Sequence, residues 1–202
     1  MQLMKWRKYA LVLAAGLVLP GFSQAAIVSG ETSVSIAPGT ISVSATVEDI
    51  SSIISISWPE DRWVGISFGP TPAHDEGYMI VSSLSGDAIE ANAAFRSAPL
   101  SQSSQDLTIE SFTTAGGISE IVLSRASNTG DPLDFQFEAI EQTIPLQWAL
   151  GPLGAATSTQ HEVRGTFAQD LVLTAIPVPA ALPLLASGLF ALGLFTRRNK
   201  VS

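Results

Sequence analysis

The sequence contains no cysteine. That one absence removes disulfides, zinc–thiolate centres, iron–sulfur clusters and thiol nucleophiles together. Lysine is missing from the whole stretch 27–176, where Arg62, Arg96, Arg125 and Arg164 stand against all eighteen acidic residues, a formal charge of −14. A surface so poor in positive charge cannot neutralise a row of phosphates, which excludes nucleic acid as a partner. An anionic lipid surface would repel it too. Histidine occurs twice, as His74 and His161. The phosphate loop and the HExxH pair are absent, and serine is too common here to single out a nucleophile. No catalytic residue can be assigned, and the expectation is a protein that is not an enzyme.

What the chain does have is distributed unevenly. A mean hydropathy of +0.33 accompanies a sequence pI near 4.6, and the two belong to different segments. Residues 1–25 carry Lys5, Arg7 and Lys8, then an apolar run from Tyr9 to Leu19, then Pro20-Gly21 and Ser23-Gln24-Ala25. This is the layout of a secretory signal peptide cleaved near Ala25 or Ala26. Its apolar run is too short for the roughly 20 residues of a membrane span. At the other end, Ala180 to Phe195 contains no charge and precedes Arg197, Arg198 and Lys200. Sixteen helical residues rise about 24 Å, just enough to span with their flanks, so one transmembrane helix over 180–196 with a cytoplasmic basic stop is expected.

The order Pro177-Val178-Pro179, then Ser187-Gly188-Leu189 in an apolar helix, then a basic end resembles the PEP-CTERM sorting signal of bacteria that export proteins with exopolysaccharide. The resemblance covers 177–202 and implies processing by an exosortase-type enzyme and export to the cell envelope or beyond. Before processing, the chain would be held in the inner membrane. Val178 stands where that signal usually has Glu.

The middle of the chain is patterned for strands. Ser and Thr make up 35 of its 150 residues, and apolar residues alternate rather than recur at helical spacing. Ile54, Ile56 and Trp58 form one such set; others are Val64, Ile66 and Phe68, then Leu133, Phe135 and Phe137. Leu146, Trp148 and Leu150 follow, and Leu171 with Leu173 closes the series. Turn residues punctuate the runs at Pro38-Gly39, Ser85-Gly86-Asp87, Gly116-Gly117 and Asn128-Thr129-Gly130-Asp131-Pro132. The prediction is an all-β antiparallel sandwich of about ten strands. Both histidines fall in loops, and by spacing alone they read as solvated surface residues. A calcium site on Asp131 and Asp134 is conceivable, but the spacing matches no dedicated loop.

The segment Arg62-Trp63-Val64-Gly65-Ile66-Ser67-Phe68-Gly69 is similar to a characteristic strand of DOMON domains. Asp106–Ile109, Val122–Arg125, Thr129–Asp134, Ile144–Ala149 and His161–Gly165 continue that pattern in order. The resemblance spans roughly 27–174 and implies a β-sandwich of about ten strands that binds either b-type haem or sugars. In haem-binding members a methionine after the Trp strand and a histidine before the final strands ligate the iron. His161 matches the second position. At the first, His74 stands where the methionine would be, with Met79 in the strand that follows. Either the iron is held by His74 and His161, with Met79 a weaker substitute for His74, or haem binding has been lost. Trp63, Phe68 and Trp148 belong either near the macrocycle or, as strand aromatics more often do, to the plain core. The first expectation is an exported haem b electron-transfer domain serving a redox partner. The alternative is a carbohydrate-binding or exopolysaccharide-associated matrix protein, whose sugar site would rest on exposed Trp58, Trp63 or Tyr78.

Overall fold

A computed structural model describes residues 26–37, 39–69, 77–92, 100–101, 104–157 and 159–177. The expected signal peptide, the transmembrane helix over 180–196 and His74 all lie outside the described residues. Among these residues no helix is long and apolar enough to cross a membrane.

The described chain is all-β, with thirteen strands rather than about ten. They are β1 (Val28–Ile36), β2 (Gly39–Val47), β3 (Ser51–Pro59), β4 (Val64–Phe68), β5 (Tyr78–Ser82), β6 (Ala88–Asn92) and β7 (Leu100–Ser101). The series continues with β8 (Thr108–Ala115), β9 (Ile118–Ala126), β10 (Gln142–Ile144), β11 (Leu146–Leu150), β12 (Val163–Thr166) and β13 (Leu171–Ala175). A seven-stranded sheet runs β10-β13-β1-β2-β3-β9-β8, and a six-stranded sheet runs β12-β11-β4-β5-β6-β7. Every pair is antiparallel.

Both sheets contribute to one core, the layout of a β-sandwich. Ile41, Val43, Ile54, Ile56 and Trp58 come from the larger sheet, and Val64, Ile66, Phe68, Ile80 and Trp148 from the smaller. Each lies at alternate positions because successive side chains of a strand point to opposite faces. Many outward positions of β1, β2 and β3 bear hydroxyls: Ser33, Ser42 and Ser57 share one register row, and Ser44 and Ser55 follow Glu31 in the next, while Ile53, Ile118 and Val172 are exposed on the same face. Hydroxyls on that face meet water at no cost, and the inward face drives assembly at roughly 25 cal/mol per Å² of apolar surface removed from water.

One expected strand is not formed. Leu133, Phe135 and Phe137 lie in the irregular segment between β9 and β10, with Leu133 exposed and Phe137 buried. Asp131 closes a turn there by accepting the Leu133 amide on its carboxylate at 2.8 Å, while the Phe137 amide donates to Ser127 O. Local capping by an Asx side chain wins over the alternating pattern, which alone cannot supply a partner strand.

Candidate functional site

The outward face of the six-stranded sheet contrasts with the hydroxyl face opposite. Trp63 just before β4, Met79 and Val81 of β5 and Ala91 of β6 form a second buried apolar cluster, with Ile89 and Ala149 packed against it. Met79 is 4% exposed and Ala91 0%, low values for outward positions. Small residues keep the face flat. A Cβ on Gly65 would lie 2.7 Å from Met79 Cε, so the methionine tip lies in the dent the glycine leaves. A Cβ on Gly151 would lie 2.0 Å from Trp63 Nε1. The indole stands directly on that glycine, and its N–H donates to Thr159 Oγ1 at 3.2 Å. Gly151→Ala is therefore expected to expel Trp63 from the face, which a red shift of tryptophan emission would register.

The register separates two of the three expected ligands. Met79 shares a row with Ser67, Gln147 and Thr166; Val163 shares one with Leu150 and Val64, and His161 lies two residues further out. Three strand spacings across and five residues along place the two Cα atoms roughly 20 Å apart, at about 4.8 Å and 3.3 Å per step. Met79 and His161 are thus not brought together. His161 is half-buried in the loop before β12, ahead of the last two strands. The 69–77 connection leaves β4 at its Phe68 end, whereas His161 enters β12 at the Val64 end. Of the aromatics expected near a macrocycle, only Trp63 is on this face; Phe68 and Trp148 belong to the inter-sheet core. Trp58, Trp63 and Tyr78 are buried at 0%, 2% and 4% exposure, so none is the exposed platform a sugar site requires.

A second constellation was not expected from the sequence. Arg125 of β9 points between the sheets, its side chain wholly buried, and bridges Glu90 of β6 at 3.1 Å and Asp134 at 3.0 Å. Both carboxylates are also wholly buried. The Tyr78 hydroxyl donates to Glu90 Oε1 at 2.8 Å and accepts from Arg125 Nη1, and the guanidinium lies 5.1 Å from the tyrosine ring. Thr129 Oγ1 donates to Asp134 Oδ2, and the Asp106 amide to Glu90 Oε2. Gln105 holds Asp106 in place, because its side-chain amide pairs with both Glu90 N and Glu90 O. The available signal was alternation: Ser119, Ile121 and Leu123 face inward, and the same period carries Arg125 inward.

Burial pushes the Tyr78 hydroxyl well above the ordinary tyrosine value; Arg125 opposes the rise and Glu90 adds to it. A folded-state value above the unfolded one gives stability that is complete below pH about 10 and lost as pH climbs beyond it. Tyrosinate absorbance from Tyr78 should therefore appear only together with loss of the far-ultraviolet β signal. Reversible ionisation of both tyrosines near pH 10 in the folded protein would contradict this.

No family model matches the chain, and no curated protein matches it. Among solved structures it is similar to the cytochrome b domain of pyranose dehydrogenase from Coprinopsis cinerea, at 19% identity and a TM-score of 0.45. The match covers 71% of this chain and 76% of that one. Nothing about this chain's ligand follows from a likeness of that size, so its own residues have to carry the reading.

Proposed function

We propose that the chain is an exported cell-envelope domain that binds b-type haem on the outward face of its six-stranded sheet and passes single electrons to a redox partner. In this reading it has no substrate of its own. The observation that carries it is the asymmetry of the two outward faces. One mixes hydroxyls and carboxylates with a few exposed aliphatics such as Ile53 and Val172, and the other carries the contiguous apolar set Trp63, Met79, Val81 and Ala91 beside Gly65 and Ala149. A flat apolar group suits such a face, since polar groups in the same place would lose hydration without hydrogen bonds.

His74 and His161 would hold the iron, because imidazole nitrogen is a strong iron ligand. Haem would supply a one-electron iron couple, and two imidazoles would leave no open position for oxygen chemistry. Export and sorting belong to the same proposal, through the N-terminal signal and exosortase-type processing near 177–179.

The test is a visible spectrum of the chain purified after expression with haem available. A Soret band with sharp reduced α and β bands is expected. It should be lost in His74→Ala and in His161→Ala, and kept in Met79→Leu. A folded wild type that takes up no haem overturns the reading. The exopolysaccharide-associated alternative loses the aromatic platform it would rest on, since Trp58, Trp63 and Tyr78 are buried.

A further inference from the structure

We propose that Glu90, Asp106 and Asp134 form a binding site for one calcium ion, lodged between the two sheets beside Arg125. One carboxylate oxygen from each of the three lies within 4.8 Å of the others. A calcium ion takes oxygens at 2.3–2.6 Å, so ligands on opposite sides of it stand about 4.6–5.2 Å apart and adjacent ones closer. The triad fits that span.

The independent sign of a missing ligand is Asp134. Its Oδ2 accepts from Arg125 Nη2 and Thr129 Oγ1, while its Oδ1 is buried and has no hydrogen-bond partner. A carboxylate oxygen hidden from water without a donor is costly, and a cation answers it. Oδ2 is taken by the guanidinium and the threonine hydroxyl, which leaves Oδ1 as the oxygen of Asp134 without a partner. Charge points the same way. Three carboxylates around one guanidinium total −2, and Glu90, Asp134 and Arg125 have wholly buried side chains. A divalent ion brings that total to zero.

The placement also provides access. Asp106 is the most exposed of the three and opens the site to solvent, from which water can complete the coordination shell. Oxygen-only donors select a hard cation over zinc or copper. A bound ion would tie β6, the 104–107 segment and the loop carrying Asp134 to one point, joining segments that share no strand pairing.

The experiment uses the full chain, stripped with EGTA, and follows Tm as calcium chloride is added, with magnesium chloride as the parallel arm. At 100 times Kd, calcium should raise Tm by about 5–10 °C. Magnesium should do less at the same concentration, because it requires oxygens at 2.0–2.1 Å in near-octahedral order. Titration calorimetry should count one site per chain. Asp106→Asn, at the outer edge, should fold and lose the shift; Asp134→Asn is the stricter variant. The proposal is overturned if the folded, stripped wild type is unmoved by calcium at about 10 mM, beyond the affinity range of extracellular calcium modules. It is equally overturned if Asp106→Asn keeps the full shift, or if magnesium matches calcium. None of these readouts involves haem, so the outcome is separable from that of the preceding proposal.

Discussion

Arg125→Met, measured in chelator, should lower stability by roughly 3–5 kcal/mol, because it leaves Glu90 and Asp134 as uncompensated charges inside the sandwich. Methionine fills much of the same volume, so the loss reports charge more than packing. Urea unfolding is the measurement, with a lower midpoint and an unchanged slope. The triple variant Arg125→Met, Glu90→Gln, Asp134→Asn is the control. Removing the stranded charges should recover most of the loss, since a buried ion pair replaced by neutral groups of similar size is often near neutral in stability. A single variant within about 1 kcal/mol of wild type would mean that the carboxylates find water or protons without the arginine. That result would sink the account of the inter-sheet network.

Trp58→Ala should cost about 3–5 kcal/mol through the cavity it leaves. The indole is wholly buried, lies 6.2 Å from the Phe112 ring, and donates its N–H to Arg62 O at 2.6 Å. Trp58→Phe separates the two contributions. It keeps an aromatic ring in the core but strands the Arg62 carbonyl, a loss of about 1–3 kcal/mol. The order wild type, Trp58→Phe, Trp58→Ala in urea midpoint is therefore expected. An alanine variant no worse than the phenylalanine one would show that the core closes over the gap.

Much of the sandwich was legible because burial on one face of a strand writes a period of two. Ile54, Ile56 and Trp58, then Val64, Ile66 and Phe68, then Leu146, Trp148 and Leu150 all turn inward as their alternation requires. The same rule misled at Leu133, Phe135 and Phe137, where a turn closed by Asp131 displaced the strand. Alternation also could not say which aromatics meet water. Trp63 and Tyr78 sit on opposite faces of one sheet, and both are buried.

The site was less legible. The histidines stand out by scarcity, and Met79 by its place after the Trp strand. Their spacing in space depends on the order β12-β11-β4-β5, which no local pattern encodes. That order puts Met79 and His161 in distant rows. The inter-sheet network was missed for a related reason. Glu90 lies 35 residues before Arg125, Asp134 sits in an irregular loop after it, and each alone looks like one more charge on an acidic surface.

The sequence by itself determined that this chain has no cysteine and therefore no thiolate chemistry. It also determined the all-β class, since alternation is local and needs no partner to be read. Only the tertiary structure decided which charges are buried together and which outward face is apolar. Those depend on strand order and on sheet-to-sheet contact, where residues separated by tens of positions lose water at the same place and must answer each other's charge.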